Sequence, residues 1–170
     1  NRIKKLETEL AAIQAKKNKA DELWNEGEKL ASKKKTKKDG LGKMKESLEW
    51  WNSGERIHKV RELEKEVNGS YSKIDISGVW KHGNTETFTF TSSGNGQYTA
   101  VEKGFDNATG SLTMIGETGF INYIIKNGIT GQYILKITAD GNTATGKWTD
   151  SRNTNGVRNF VRISKPETPQ

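Results

Sequence analysis

The apolar positions divide the chain into a part with helical spacing and a part with strand alternation. Near the start, Ile3, Leu6, Leu10 and Ile13 recur three, four and three residues apart, which predicts an amphipathic helix with Arg2, Lys4, Lys5, Glu7 and Glu9 on its wet face. The seam covers about two heptads, fewer than the three or four by which a coiled coil is recognised. It thins over Lys16, Lys17 and Lys19 and resumes at Ala20, Leu23, Trp24 and Leu30. The basic run Lys33, Lys34, Lys35, Lys37 and Lys38 suits the C-terminal end of a helix dipole, and Asp39-Gly40-Leu41-Gly42 then predicts a turn.

A second helix follows, with Met44, Leu48 and Trp51 on one stripe and Ile57, Val60, Leu63 and Val67 on another. The stripes are out of register, and Asn52-Ser53-Gly54 between them predicts a kink or short break. A turn centred near residue 40 makes an antiparallel hairpin. It pairs Leu30 with Trp50 or Trp51, Leu23 and Trp24 with Ile57, Ala20 with Val60, and Ile13 with Val67. Residues 1–12 have no partner in this scheme, so the seam of Ile3, Leu6, Leu10 and Ile13 must pack on the barrel, on another copy or on another protein. A two-helix hairpin has little depth, so at least one of Trp24, Trp50 and Trp51 is expected to anchor another surface.

Asn68-Gly69-Ser70 ends the helical part, and alternation begins at Ile74. Eight short strands are predicted at about 75–82, 85–92, 96–103, 110–116, 120–126, 131–138, 143–150 and 156–164. With no helix between them to cross over, they predict an up-and-down antiparallel meander, and eight strands can close on themselves. One face carries Trp80, Phe88, Phe90, Tyr98, Leu112, Met114, Tyr123, Tyr133, Leu135, Ile137 and Trp148; the other carries Thr87, Thr89, Thr91, Thr99 and Thr113. So many aromatic rings largely fill an eight-stranded interior, which favours a solid barrel over an open cup. The expected fold is α+β, with a helical hairpin at 1–68, a linker at 69–74, a barrel at 75–165 and a tail at 166–170.

Composition narrows the roles. Of the net charge of +7, +6 resides in the helical half: residues 1–74 hold 19 Lys and Arg against 13 Asp and Glu, and residues 75–170 hold 9 against 8. The absence of cysteine excludes disulfides, thiolate chemistry and Cys-bound metal. No apolar run approaches the roughly 20 residues of a membrane helix. The start at Asn1, with neither methionine nor a leader pattern, is expected of a processed or trimmed chain.

Gly78-Val79-Trp80 in the first strand, eight sequential strands, a second Gly146-Lys147-Trp148 and Arg162 in the last strand resemble the calycin group of barrels, the lipocalins and avidin-like proteins. The resemblance spans about 75–165 and implies that Trp80 packs at one barrel end with Arg162 lying across it as a structural cation–π pair. It also prefers Phe160 and Arg162 pointing inward, whereas hydrophobic bookkeeping prefers Val161 and Ile163; both remain open at this stage.

No catalytic constellation stands out, so an enzyme is the least favoured class; Asp106, Glu117 and Asp150 are the acids whose titration in a cleft would revive it. His58 and His82 read as solvated histidines. Asp140-Gly141-Asn142 reads as a hairpin turn. The stretch Ser151, Asn153, Asn155, Gly156 has calcium-loop spacing, but it lacks the acid at its first position and the bidentate glutamate. No metal or cofactor is therefore expected. The lysines at 33–38 could attract an anionic polymer, yet no aromatic residue interleaves them to stack on bases, so nucleic acid is disfavoured. The expected role is a non-enzymatic binding or assembly module. Its helices dock or self-associate, and its barrel presents loops such as Ser92-Ser93-Gly94-Asn95 and the turn from Arg152 to Asn155. Phe88, Phe90, Tyr98, Tyr133 and Trp148 form the barrel interior that a small hydrophobic ligand would need in the alternative carrier role. The Thr-, Asn- and Gly-rich barrel is similar in style to bacterial cell-surface and secreted proteins, which sets the expected location as extracytoplasmic.

Overall fold

The structure is a computed structural model and describes residues 1–105 and 107–165. Asp106 and the tail expected at 166–170 lie outside the described residues. The chain divides into two compact units, Asn1–Gly69 and Ser70–Gln170.

The first unit holds three helices, α1 (Arg2–Ala31), α2 (Lys37–Trp50) and α3 (Gly54–Asn68), with a short 3₁₀ turn at Lys34–Thr36. α1 and α2 form the antiparallel hairpin, but its turn lies at residues 32–36 and not at 39–42. Consecutive lysines three and four apart repel one another within a helix, so the run is a poor helix interior. Thr36 secures the reversal by donating its hydroxyl to the Leu30 carbonyl at 2.7 Å. Gly40 is helical and serves close approach: a Cβ on the facing Gly27 would lie 3.0 Å from the Gly40 carbonyl oxygen and 2.5 Å from Met44 Cγ. The Ser47 hydroxyl donates to the Ala20 carbonyl at 2.8 Å and sets the register.

The break expected near 52–54 is a full reversal. Ser53 caps α3 by accepting from Arg56 N at 3.3 Å, and α3 returns along α2, with Lys37 2.5 Å from Glu66 and Lys45 paired to Glu64. α3 therefore runs in the same sense as α1, joined to it by Arg56–Asp21 at 2.6 Å and by Lys59–Glu28. This corrects the two-helix pairing scheme. Leu30 and the Trp50–Trp51 pair are not partners, because the turn at 32–36 sets Ala20 against Ser47 and Gly27 against Gly40, and Ile13 and Val67 are not, because α3 runs back parallel to α1. Ala20, Leu23, Trp24, Leu41, Met44, Leu48, Ile57 and Val60 form the core, and α3 ends on Gly69 in the left-handed region at φ 76°. Among the described residues no helix is long and apolar enough to cross a membrane.

The second unit is a closed antiparallel barrel of β1 (Gly78–Lys81), β2 (Thr87–Gly94), β3 (Gln97–Lys103), β4 (Thr109–Ile115), β5 (Thr118–Ile124), β6 (Thr130–Ile137), β7 (Thr143–Asp150) and β8 (Asn155–Ser164). Neighbours in sequence are neighbours in space, and β8 closes on β1 with Arg162 opposite Trp80. The inward face is the bulky one expected, joined by Ile76, Ala100, Ile121, Ala144 and Phe160. In β8 it is Phe160 and Arg162 that turn inward, while Val161 and Ile163 are exposed. Space for the Phe160 ring comes from Gly146, where a Cβ would sit 2.7 Å from it. Trp80–Phe90, Phe90–Phe88, Phe88–Tyr133 and Tyr133–Phe160 ring contacts, all between 5.6 and 6.2 Å, run through the interior and leave it filled.

Candidate functional site

An up-and-down meander places alternate hairpins at the same end. The segment entering β1 crosses one end: Ile76 is fully buried, the Ser72 hydroxyl donates to the Gly116 carbonyl at 2.6 Å, and Trp80 Nε1 donates to the Ile76 carbonyl at 2.8 Å. Here the Arg162 guanidinium lies 5.3 Å from the Trp80 ring centroid and donates to the Asp75 carbonyl at 2.6 Å. Burial pushes the Asp75 carboxyl up, but bonds from the Ser77 amide and hydroxyl, with Arg162 nearby, hold it below its ordinary value. Burial raises the Tyr98 hydroxyl above its ordinary value. This end is closed and structural.

The other end gathers the turns that join β1 to β2, β3 to β4, β5 to β6 and β7 to β8. His82 lies there, two residues beyond Trp80 and so on the same inward face. It corrects the solvated reading: only 3 % of the side chain is exposed, with the ring between Phe160 at 5.2 Å and Phe88 at 5.0 Å. Among the described residues neither Nδ1 nor Nε2 has a hydrogen-bond partner. Buried polar groups are almost always bonded, so two orphan ring nitrogens need an explanation. Glu102, inward by the same alternation as Tyr98 and Ala100, brings Oε1 to 3.6 Å from His82 Nε2, beyond hydrogen-bond reach, and accepts from Ala108 N through Oε2 at 3.2 Å.

Burial pulls the His82 pKa down to about 4, with the positive charge of Arg158 adding to this and Glu86 opposing it. At neutral pH the imidazole is uncharged and offers one N–H and one lone pair. His82 lines a cavity of about 60 Å³, whose other sides include Phe88, Glu102, Phe105, Ala108, Tyr123, Tyr133, Trp148 and Arg158. That volume takes a few water-sized groups at most. At the rim, Phe105 is 62 % exposed with the Arg158 guanidinium 5.6 Å from its ring centroid. Asp150 organises the β7–β8 turn, accepting from Arg152 Nε at 2.9 Å, Arg152 N at 2.9 Å and Thr154 N at 3.2 Å; Arg152 above all holds its carboxyl far below the usual range. The turn of Ser151, Asn153, Asn155 and Gly156 thus has its nearest acid occupied internally. Among the described residues no group of three or more acids and histidines is placed to hold a metal.

The remaining candidates are dispersed. Phe88, Phe90, Tyr98 and Tyr133 are buried in the interior, and Trp148 is half-buried beside the cavity. Trp24 is buried under Arg56 at 4.8 Å and Lys59 at 5.8 Å, so it cements the helices, whereas Trp50 and Trp51 are exposed where α2 ends. Ile3, Leu6, Leu10 and Ile13 are exposed. Of the basic run, Lys33, Lys34, Lys35 and Lys38 are exposed and Lys37 is paired with Glu66. The residues from Ser92 to Asn95 are exposed, as are His58 and Glu117. The sequence-based site lacks Glu102, Phe105 and Arg158; strand alternation places Glu102 on the inner face with Tyr98 and Ala100, whereas Arg158 follows only once Phe160 is seen to point inward.

No protein-family model matches the chain, and no curated protein matches it. Among solved structures it is similar to a redesigned β-barrel, mFAP1, bound to DFHBI, at 14 % identity and a TM-score of 0.40, over 51 % of this chain and 94 % of that one.

Proposed function

We propose that this chain is a non-enzymatic binding module: the open end of its barrel takes the uncharged polar head of a small ligand, and its helical unit docks or assembles. The observation that carries the reading is the buried His82 ring, which lines a small cavity and whose two nitrogens have no partner among the described residues. A neutral imidazole is complemented by a group that both donates and accepts, such as a hydroxyl or a primary amide. A cavity of about 60 Å³ admits such a head, while an apolar or aromatic body would lie outward against Phe105, Tyr123 and Trp148. A fully charged head is disfavoured, because the wall already holds both signs in Arg158 and Glu102, so a further buried charge of either sign meets a like charge as well as a partner. Support for binding over chemistry comes from the low His82 pKa, which makes it a poor base near neutrality. An extracytoplasmic setting belongs to the proposal and rests on the Thr-, Asn- and Gly-rich character of the barrel.

The test is a titration of the full chain, isotope-labelled for NMR, with benzyl alcohol and benzamide, and with benzoate and benzylammonium as charged counterparts. The neutral probes are expected to shift the His82 ring, Ala108 amide and Trp148 indole signals, and His82→Phe is expected to remove the response while the barrel stays folded. Equal shifts in the variant, or shifts only at the Trp80 end, would overturn the reading.

A further inference from the structure

Among the described residues of the first unit, nothing covers the first two heptads of α1. Every residue from 2 to 19 is exposed except the half-buried Glu9, and the seam residues Ile3, Leu6, Leu10 and Ile13 are 72, 55, 67 and 38 % exposed. A lone helix of this length is marginal in water and gains most of its stability from packing.

The charges beside the seam select the occupant. With Ile3 and Leu10 at heptad position a and Leu6 and Ile13 at d, Arg2, Glu9 and Lys16 fall at g and Glu7 and Gln14 at e. In a parallel pair each g residue meets the e residue of the following heptad on the partner helix. Arg2 then faces Glu7 of the other copy, twice by symmetry, and Glu9 faces Gln14. Reversing one helix instead sets Glu7 against Glu7 and Glu9 against Glu9. Lys17, at the next a position, ends the apolar seam just before Ala20 turns into the core of its own unit. Two copies would therefore separate there, each keeping its own α2 and α3.

We infer that the exposed stretch of α1 pairs in parallel with α1 of a second copy, through Ile3, Leu6, Leu10 and Ile13, with Arg2 and Glu7 fixing the orientation. This deepens the docking part of the proposed function and is independent of the barrel cavity. Two heptads make a weak, reversible pair.

Sedimentation velocity of the full chain across a wide concentration range tests it. The expected result is a monomer–dimer equilibrium that Leu10→Lys abolishes without changing the circular dichroism melt, since Leu10 touches no core. Glu7→Arg and Arg2→Glu alone should each weaken the dimer about tenfold, from attraction to repulsion at two symmetric contacts, and the double swap should restore it. A monomer at every concentration would overturn the inference, and so would single swaps whose losses add in the double variant. In either case the response to benzyl alcohol at His82 still reports separately on the barrel.

Discussion

The two ends of the barrel are built from similar residues and satisfy their polar groups to different degrees. At the closed end, Trp80, Tyr98, Asp75 and Arg162 bond to one another or to the segment that crosses them, and Arg162 Nε alone of that group is buried without a partner among the described residues. At the open end, His82 is as deeply buried as Tyr98, yet neither ring nitrogen has a partner among the described residues. An unmet buried polar group costs on the order of 1–3 kcal/mol. One end is arranged for stability, and the other carries a cost that a ligand would relieve.

The largest expected effect breaks the stable end. Trp80 is only 1 % exposed and touches Phe90, so Trp80→Ala should lower the unfolding free energy by about 3–5 kcal/mol, read from urea denaturation. A change of similar size at the open end depends on pH. The His82 pKa is lowered from 6.5 to about 4, so between these values the unfolded chain binds a proton that the folded barrel does not. Stability should therefore fall as pH drops from about 6.5 to 4, by about 3 kcal/mol, and rise again on returning to neutrality. His82→Phe should flatten that window, as measured by denaturation at pH 7 and pH 4.5. The depressed carboxyl of Asp75 acts lower, its contribution being present above the ordinary carboxylate value and lost on further acidification.

Arg162→Met sharpens the contrast with a smaller loss, about 1–2 kcal/mol, from the cation–π contact and the bond to the Asp75 carbonyl. The smallest effect is expected at the rim, where Asp150→Asn should cost about 1 kcal/mol by weakening the bonds that hold the β7–β8 turn. Amide hydrogen exchange should quicken at Arg152 and Thr154 in that variant and not at Tyr98.

Strand alternation made the barrel readable, because a closed sheet gives each strand one wet face and one dry face. The same alternation, from Trp80 to His82 and from Tyr98 through Ala100 to Glu102, already places two polar residues inside. They were hard to recognise because a polar residue near a strand end is usually solvated. The helical half was less readable for a different reason. Gly27 and Gly40 look like turn signals but allow two helices to touch, while the actual turn is carried by a lysine run. Asn52-Ser53-Gly54 marks a break without fixing its angle, and the return of α3 rests on contacts between residues far apart in sequence, the burial of Ile57 and Val60 in the core and pairs such as Lys45 and Glu64. The cavity required side chains from several hairpins at once, which no local pattern encodes.

The central claim, that the open end holds a small ligand on His82, is tested most directly by native mass spectrometry of the full chain isolated gently from its own source, beside His82→Phe prepared in the same way. The account predicts a small added mass on the wild-type chain that is missing from the variant. A bare chain in both, or the same added mass in both, would contradict it.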